Sequence, residues 1–84
     1  MYEKTRGIVL HTIPYNDTLS VVHVYTERYG RVAYTLPRGA GRAAKMARAM
    51  YMPLSLLELE VEVRPGREMQ RIREARTWLP LPYV

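Results

Sequence analysis

Two histidines, His11 and His23, could in principle act as general bases or metal ligands. They fall in different predicted strands with no carboxylate at a matching spacing, so each reads as a surface or half-buried strand residue. Glu58, Glu60 and Glu62 alternate along one strand face and could be imagined as oxygen ligands. Nothing else in the chain completes a coordination shell, and the row reads as a solvated strand face. Asp17 sits in a turn, where Asp ordinarily caps backbone amides. Gly39-Ala40-Gly41 lacks the Gly-Lys-Ser/Thr ending of a phosphate loop and reads as a hinge. The chain is therefore expected to have no catalytic residue, no metal and no cofactor.

The side chains that could recognise a ligand are cations and aromatics. Arg38, Arg42, Lys45 and Arg48 form a basic segment with no acidic residue between Glu27 and Glu58. A concentration of this kind suits phosphate, because a guanidinium fork binds two oxygens at once. Arg31, Arg67, Arg71 and Arg73 would extend the track, the last three from a second cationic group that also holds Arg64 and Arg76. Glu68 and Glu74 dilute that second group, so ion pairing competes there. Among the aromatics, seven Tyr and one Trp with no Phe, Tyr25 should face outward if Val22 and Val24 face inward. It is the best candidate to stack on a base. Tyr34 shares parity with Val32 and Leu36 and is expected in the core.

These residues must be held by small β elements. Thr5 to Ile13 reads as a first strand. Its apolar run Ile8-Val9-Leu10 suggests cover on both faces, and Gly7 a bulge or bend. Pro14 to Asp17 is a turn. The β-branched stretch Thr18 to Thr26 is a second strand, and Glu27 to Arg31 a hairpin connection with Gly30 at positive φ. Arg31 to Leu36 is a third strand. Arg42 to Met50 favours a short helix, with its cations on one side and Ala43, Met46, Ala47 and Met50 opposite. Leu54 to Val63 is a fourth strand whose change of parity implies a bulge near Leu56-Leu57. Arg64-Pro65-Gly66-Arg67 suits a type II turn. Glu68 to Trp78 is ambiguous: Met69, Ile72, Ala75 and Trp78 recur every three residues, as in a helix. As a strand it would place Arg71, Arg73 and Ala75 on its outer face. Residues 79–84 read as a linker.

The strand and helix order matches a mainly β, five-stranded OB-fold barrel with a short helix or basic loop between strands three and four. An SH3-like barrel is the alternative. One domain, residues 1–78, fits the length of 84 residues. The net charge is +5 and the pI about 9.9, which suggests a polyanionic partner. No stretch is long and apolar enough for a signal peptide or a membrane span, so a cytoplasmic protein is expected, without membrane or small-molecule partners.

Several segments, in order, resemble the RecO family of bacterial DNA-repair proteins. Glu3 to Leu10 is similar to the family's opening strand, Tyr15-Asn16-Asp17-Thr18 to the turn after it, and Val24 to Gly30 to the second strand and hairpin. Arg38-Gly39-Ala40 resembles its Gly-Ala-Arg loop, Met52-Pro53-Leu54 to Leu59 the fourth-strand entry, and Arg71 to Ala75 the fifth strand. Gly41 before Arg42 departs from the loop pattern. The resemblance implies an OB-fold, and hence a strand near Glu68 to Trp78. It implies binding of single- and double-stranded DNA, strand annealing, nucleoid association, and work with RecR and single-strand-binding protein in loading a recombinase. It also implies a following helical domain, zinc-binding in some members, toward which residues 79–84 would lead. Two alternatives stay open: a protein-interaction barrel docking an acidic tail such as that of single-strand-binding protein, and an RNA-binding OB or SH3-like module. An enzyme is not expected.

Overall fold

The computed structural model describes residues 2–78; the linker expected over residues 79–84 lies outside them. Five strands and one helix follow in the order β1 (Tyr2–Pro14), β2 (Leu19–Thr26), β3 (Gly30–Pro37), α1 (Arg42–Met50), β4 (Leu56–Glu62) and β5 (Gln70–Thr77). The strands close into a barrel in the order β1-β2-β3-β5-β4. All neighbours are antiparallel except β3 and β5, which pair in parallel through Tyr34–Gln70 and Thr35–Arg71. This is the OB-fold arrangement, and no helix among the described residues is long and apolar enough to cross a membrane.

Strand alternation builds the core. Val9, Val22, Val24, Tyr34, Leu36, Leu57, Leu59 and Val61 point inward and are almost wholly buried. Ala47 and Tyr51, from α1 and the residue that ends it, pack into the same cluster. Burial pushes the Tyr34 phenol up to about 12, helped by Tyr29 and Tyr51, and burial alone pushes Tyr51 up to about 12, so both stay neutral. At the β2–β3 hairpin, the buried Thr26 hydroxyl donates to Gly30 O (2.8 Å) and accepts from Tyr29 N (2.9 Å). Gly30 has the expected positive φ of 69° and Gly66, in the β4–β5 turn, one of 85°.

Four expectations need correction. First, β1 bulges at Leu10, not Gly7: its register with β2 slips between Val9 and His11. Gly7 instead permits a close approach, since a Cβ there would lie 2.5 Å from Val24 Cγ1. Of Ile8-Val9-Leu10 only Val9 is fully buried. Second, β4 is regular at Leu56-Leu57. Leu54, whose parity suggested a bulge, lies before the strand at φ 71° and is exposed. Third, the buried side of α1 is Ala44 and Ala47, while Ala43 and Met46 are exposed. The helix is rotated because Tyr51 follows Ala44 and Ala47 on one face and anchors it in the core.

Fourth, β5 is a strand with a bulge at Arg73. Val61 pairs with Ile72 and Glu60 with Glu74, leaving Arg73 unopposed. The extra residue shifts parity by one, so Ile72 and Ala75 both pack against the core. The three-residue spacing that imitates a helix is thus a strand period of two interrupted once, and Ala75 does not share the outer face of Arg71 and Arg73.

Candidate nucleic-acid interface

The outer surface of the barrel divides by charge. On β4 and β5 every outward carboxylate of β4 meets an arginine: Glu58 with Arg76 (3.0 Å), Glu60 with Arg73 (3.4 Å), and Glu62 with Arg67 (2.7 Å) and Arg64 (3.4 Å). The row expected as a solvated face is therefore an ion-paired lattice. The carboxylates that compete for the second arginine group come from β4 rather than from Glu68 and Glu74. The hydrogen bond from Arg67 holds the Glu62 carboxyl below its ordinary range against desolvation, and the charges of Arg64, Arg67 and Arg71 add to it. Arg67 Nε is buried without a hydrogen-bond partner. Arg73 also lies over the Tyr2 ring, 4.6 Å from its centre. A broad cleft of about 660 Å³ on this side is walled by both signs, Lys4, Arg6 and Arg76 against Glu27, Glu58, Glu60 and Glu74, so its field largely cancels.

On the other half, the outward strand faces and α1 carry no acid, although Asp17 lies in the β1–β2 turn and Glu27 in the β2–β3 connection. Neither β2, β3 nor α1 contains an acidic residue. Cross-strand register arranges its outer face in three rows. Leu56, Ile8, Tyr25 and Arg31 form the first; His11, His23 and Ala33 the second; Ile13, Val21, Thr35 and Arg71 the third. Tyr25 is 57% exposed, as an outward stacking residue must be. A shallow cleft floored by Gly7, Ile8 and Leu56 and lined at its edge by Glu27 lies between it and Trp78, whose ring is covered by the Arg6 guanidinium at 4.4 Å.

Beyond the third row, the β1–β2 turn and the β3–α1 loop are clipped together. Asn16 Oδ1 accepts from the amides of Thr18 (2.9 Å) and Leu19 (2.8 Å), fixing the turn. Arg38 N donates to Thr18 O (2.9 Å) and Arg38 Nη1 to Asn16 O (2.6 Å). Arg48 reaches back along α1 to donate to Gly39 O (2.8 Å). These bonds orient two guanidiniums while leaving them exposed, and Arg42 and Lys45 are exposed on the same helix. No side chain caps the α1 N-terminus and no acid stands in its first turn, so the helix dipole adds positive potential there.

Of the nine residues read from the sequence, the fold assembles Arg38, Arg42, Lys45 and Arg48 at one end of the acid-free face and Tyr25 with Arg31 at the other. Arg71 borders it beside Thr35. Arg67 and Arg73 are engaged in the ion-paired lattice. Sequence reasoning missed the meeting of His11 and His23. Their rings stack at 4.6 Å between centres and 22° between planes, in the middle of the acid-free face. The signal that could have found them is the Leu10 bulge, which alone brings the two into register.

A family model described as the N-terminal part of recombination protein O matches residues 1–80. Among curated proteins, the DNA repair protein RecO of Phocaeicola vulgatus is 41% identical over 86 residues, which cover 99% of this chain and 36% of that protein. The DNA repair protein RecO of Azobacteroides pseudotrichonymphae is 44% identical over 81 residues, 96% of this chain and 34% of its own length. That of Bacteroides fragilis is 38% identical over 86 residues, with shares of 99% and 36%. The chain thus spans about a third of the length of these relatives. With the barrel order, the helix between β3 and β4 and a match along nearly all of its length, the chain belongs to the RecO N-terminal domain family.

Proposed function

We propose that this barrel is a DNA-binding module acting in recombinational repair, and that the acid-free outer face of β2 and β3 is its binding surface. One observation carries the reading. Arg64, Arg67, Arg73 and Arg76 are neutralised by Glu58, Glu60 and Glu62, and Arg28 by Glu3, whereas among the described residues no carboxylate pairs with Arg38, Arg42 or Arg48. A strand lying along the face would place phosphates against Arg38, Arg42, Lys45 and Arg48 at one end and Arg31 at the other. Arg71 stands at the edge and Tyr25 stacks on a base. Arg67 and Arg73 contribute only if they exchange a carboxylate partner for phosphate. Contacts of this kind read no sequence, so specificity is low, and both single- and double-stranded DNA are bound. Annealing requires charge neutralisation and strand alignment and no covalent chemistry. The names of the relatives support a repair role. Loading of a recombinase together with RecR and single-strand-binding protein belongs to the same proposal for the longer protein.

The test is fluorescence anisotropy with a labelled single-stranded oligonucleotide across a salt series. Micromolar binding with a steep salt dependence is expected. Replacing Arg38, Arg42, Lys45 and Arg48 by Gln should flatten the log–log slope by about 0.7 for each phosphate no longer neutralised. An unchanged slope removes these residues from the site. The cleft between Tyr25 and Trp78, flanked by Arg6, favours a second reading in which an acidic peptide with an apolar side chain docks there. Competition between such a peptide and DNA distinguishes a shared surface from a separate one.

A further inference from the structure

The proposed DNA track has fixed cations at its two ends and none in its middle. Arg31 and Arg38 lie at opposite ends of β3, roughly 20 Å apart at ~3.3 Å per residue. Midway stand His11 and His23, face to face across β1 and β2. With two histidines and no cysteine, the chain has no other side chain whose ordinary pKa falls between pH 5 and 8. The neighbours of the pair are few. β3 brings Ala33 directly opposite His23 and Arg31 one row away; β2 brings Tyr25; β1 brings the apolar Ile8 and Ile13. The segment that leads into β4, from Leu54 to Leu56, brings no charge. Desolvation, then the partner ring, then Arg31 hold His23 below its ordinary value in the free protein. His23 is thus biased toward its neutral form, which carries no charge against the ring stacked on it. A phosphate laid over the pair would reverse the balance, because an anion favours the charged imidazole that Arg31 disfavours.

We propose that the His11–His23 pair is a proton-linked phosphate contact at the centre of the nucleic-acid track. Binding of a strand draws a proton onto the pair, and acid therefore tightens binding. The proposal rests on the DNA-binding reading above. The sign follows from linkage. A histidine whose pKa is higher in the complex than in the free chain adds affinity below the free value, and that affinity is lost as pH rises through the bound value.

The experiment is anisotropy of the 84-residue chain with labelled oligothymidylate, whose bases bear no group titrating near neutrality, at pH 7.0, 6.0 and 5.5 and constant low salt. Binding should tighten about three- to tenfold from pH 7.0 to 5.5, corresponding to one pKa raised by up to about one unit. The log–log salt slope should steepen by about 0.7 at the lower pH, the signature of one more phosphate neutralised. In the double variant His11→Gln, His23→Gln, with folding checked by circular dichroism, the pH response should vanish. The single variants report which ring takes the proton: either one abolishing most of the response supports the pair. Binding that is flat or weaker in acid, or a response that survives in the double variant, overturns the proposal and leaves the DNA-binding reading standing. Absence of binding at every pH and at low salt overturns both.

Discussion

Tyr25 and Arg38 lie at opposite ends of the same face and should fail in different ways. A stacked base contributes ~1–3 kcal/mol with no counterion released, so Tyr25→Leu should weaken single-strand binding within that range while leaving the salt slope unchanged. Parallel anisotropy series on the two variants check this, since Arg38→Gln should alter the slope itself. A Tyr25 variant that flattens the slope would mean the ring is not a base platform. Tyr25 was legible because strand alternation alone decides which way it points once Val22 and Val24 are inside. The fates of Arg67 and Arg73 were not. Glu60, the partner of Arg73, lies on another strand, and Glu62 meets Arg67 only because the β4–β5 turn folds back on the end of β4; no sequence pattern predicts either meeting. His11 and His23 were hidden for the same reason, with a one-residue register slip added.

At the scale of the element, a bulge governs what β5 can say about itself. Helix and strand periods are 3.6 and 2, and one inserted residue in a strand produces a local spacing of three that belongs to neither. The resemblance to a known family resolved what periodicity could not. Arg73 holds the parity change in place, paired to Glu60 and lying over Tyr2. Deleting Arg73 would restore an uninterrupted alternation and force either Ile72 or Ala75 out of the core. The deletion should lower the urea midpoint of unfolding clearly more than Arg73→Ala, which keeps the residue count and removes only the ion pair and the cation–ring interaction. Equal losses for the two would place the stabilisation in the side chain rather than in the register. The helix illustrates a milder form of the same difficulty. Its bounds were legible from composition, but its rotation was set by Tyr51, a residue beyond its end.

At the scale of the whole molecule, the barrel is unevenly closed. Eight residue pairs join β2 to β3, whereas β3 and β5 share two, in parallel. Short pairing with few protected amides marks a region that opens at lower free energy than the rest. Hydrogen exchange should therefore release the amides of the β3–β5 seam before those of the β2–β3 ladder. Simultaneous exchange would indicate a barrel that opens only as one unit. The order of elements was legible in the sequence; this imbalance was not, since it depends on how far two strands distant in the chain overlap. It also bears on how the protein is made. A ribosome delivers β1 to β4 first, and those strands can already form the β1–β2–β3 and β1–β4 pairings. The strand that bridges β3 to β4 follows them. Until β5 emerges the nascent chain carries an open sheet with two bare edges, one of them on β3 within the proposed DNA surface, and completion of the binding face waits on β5.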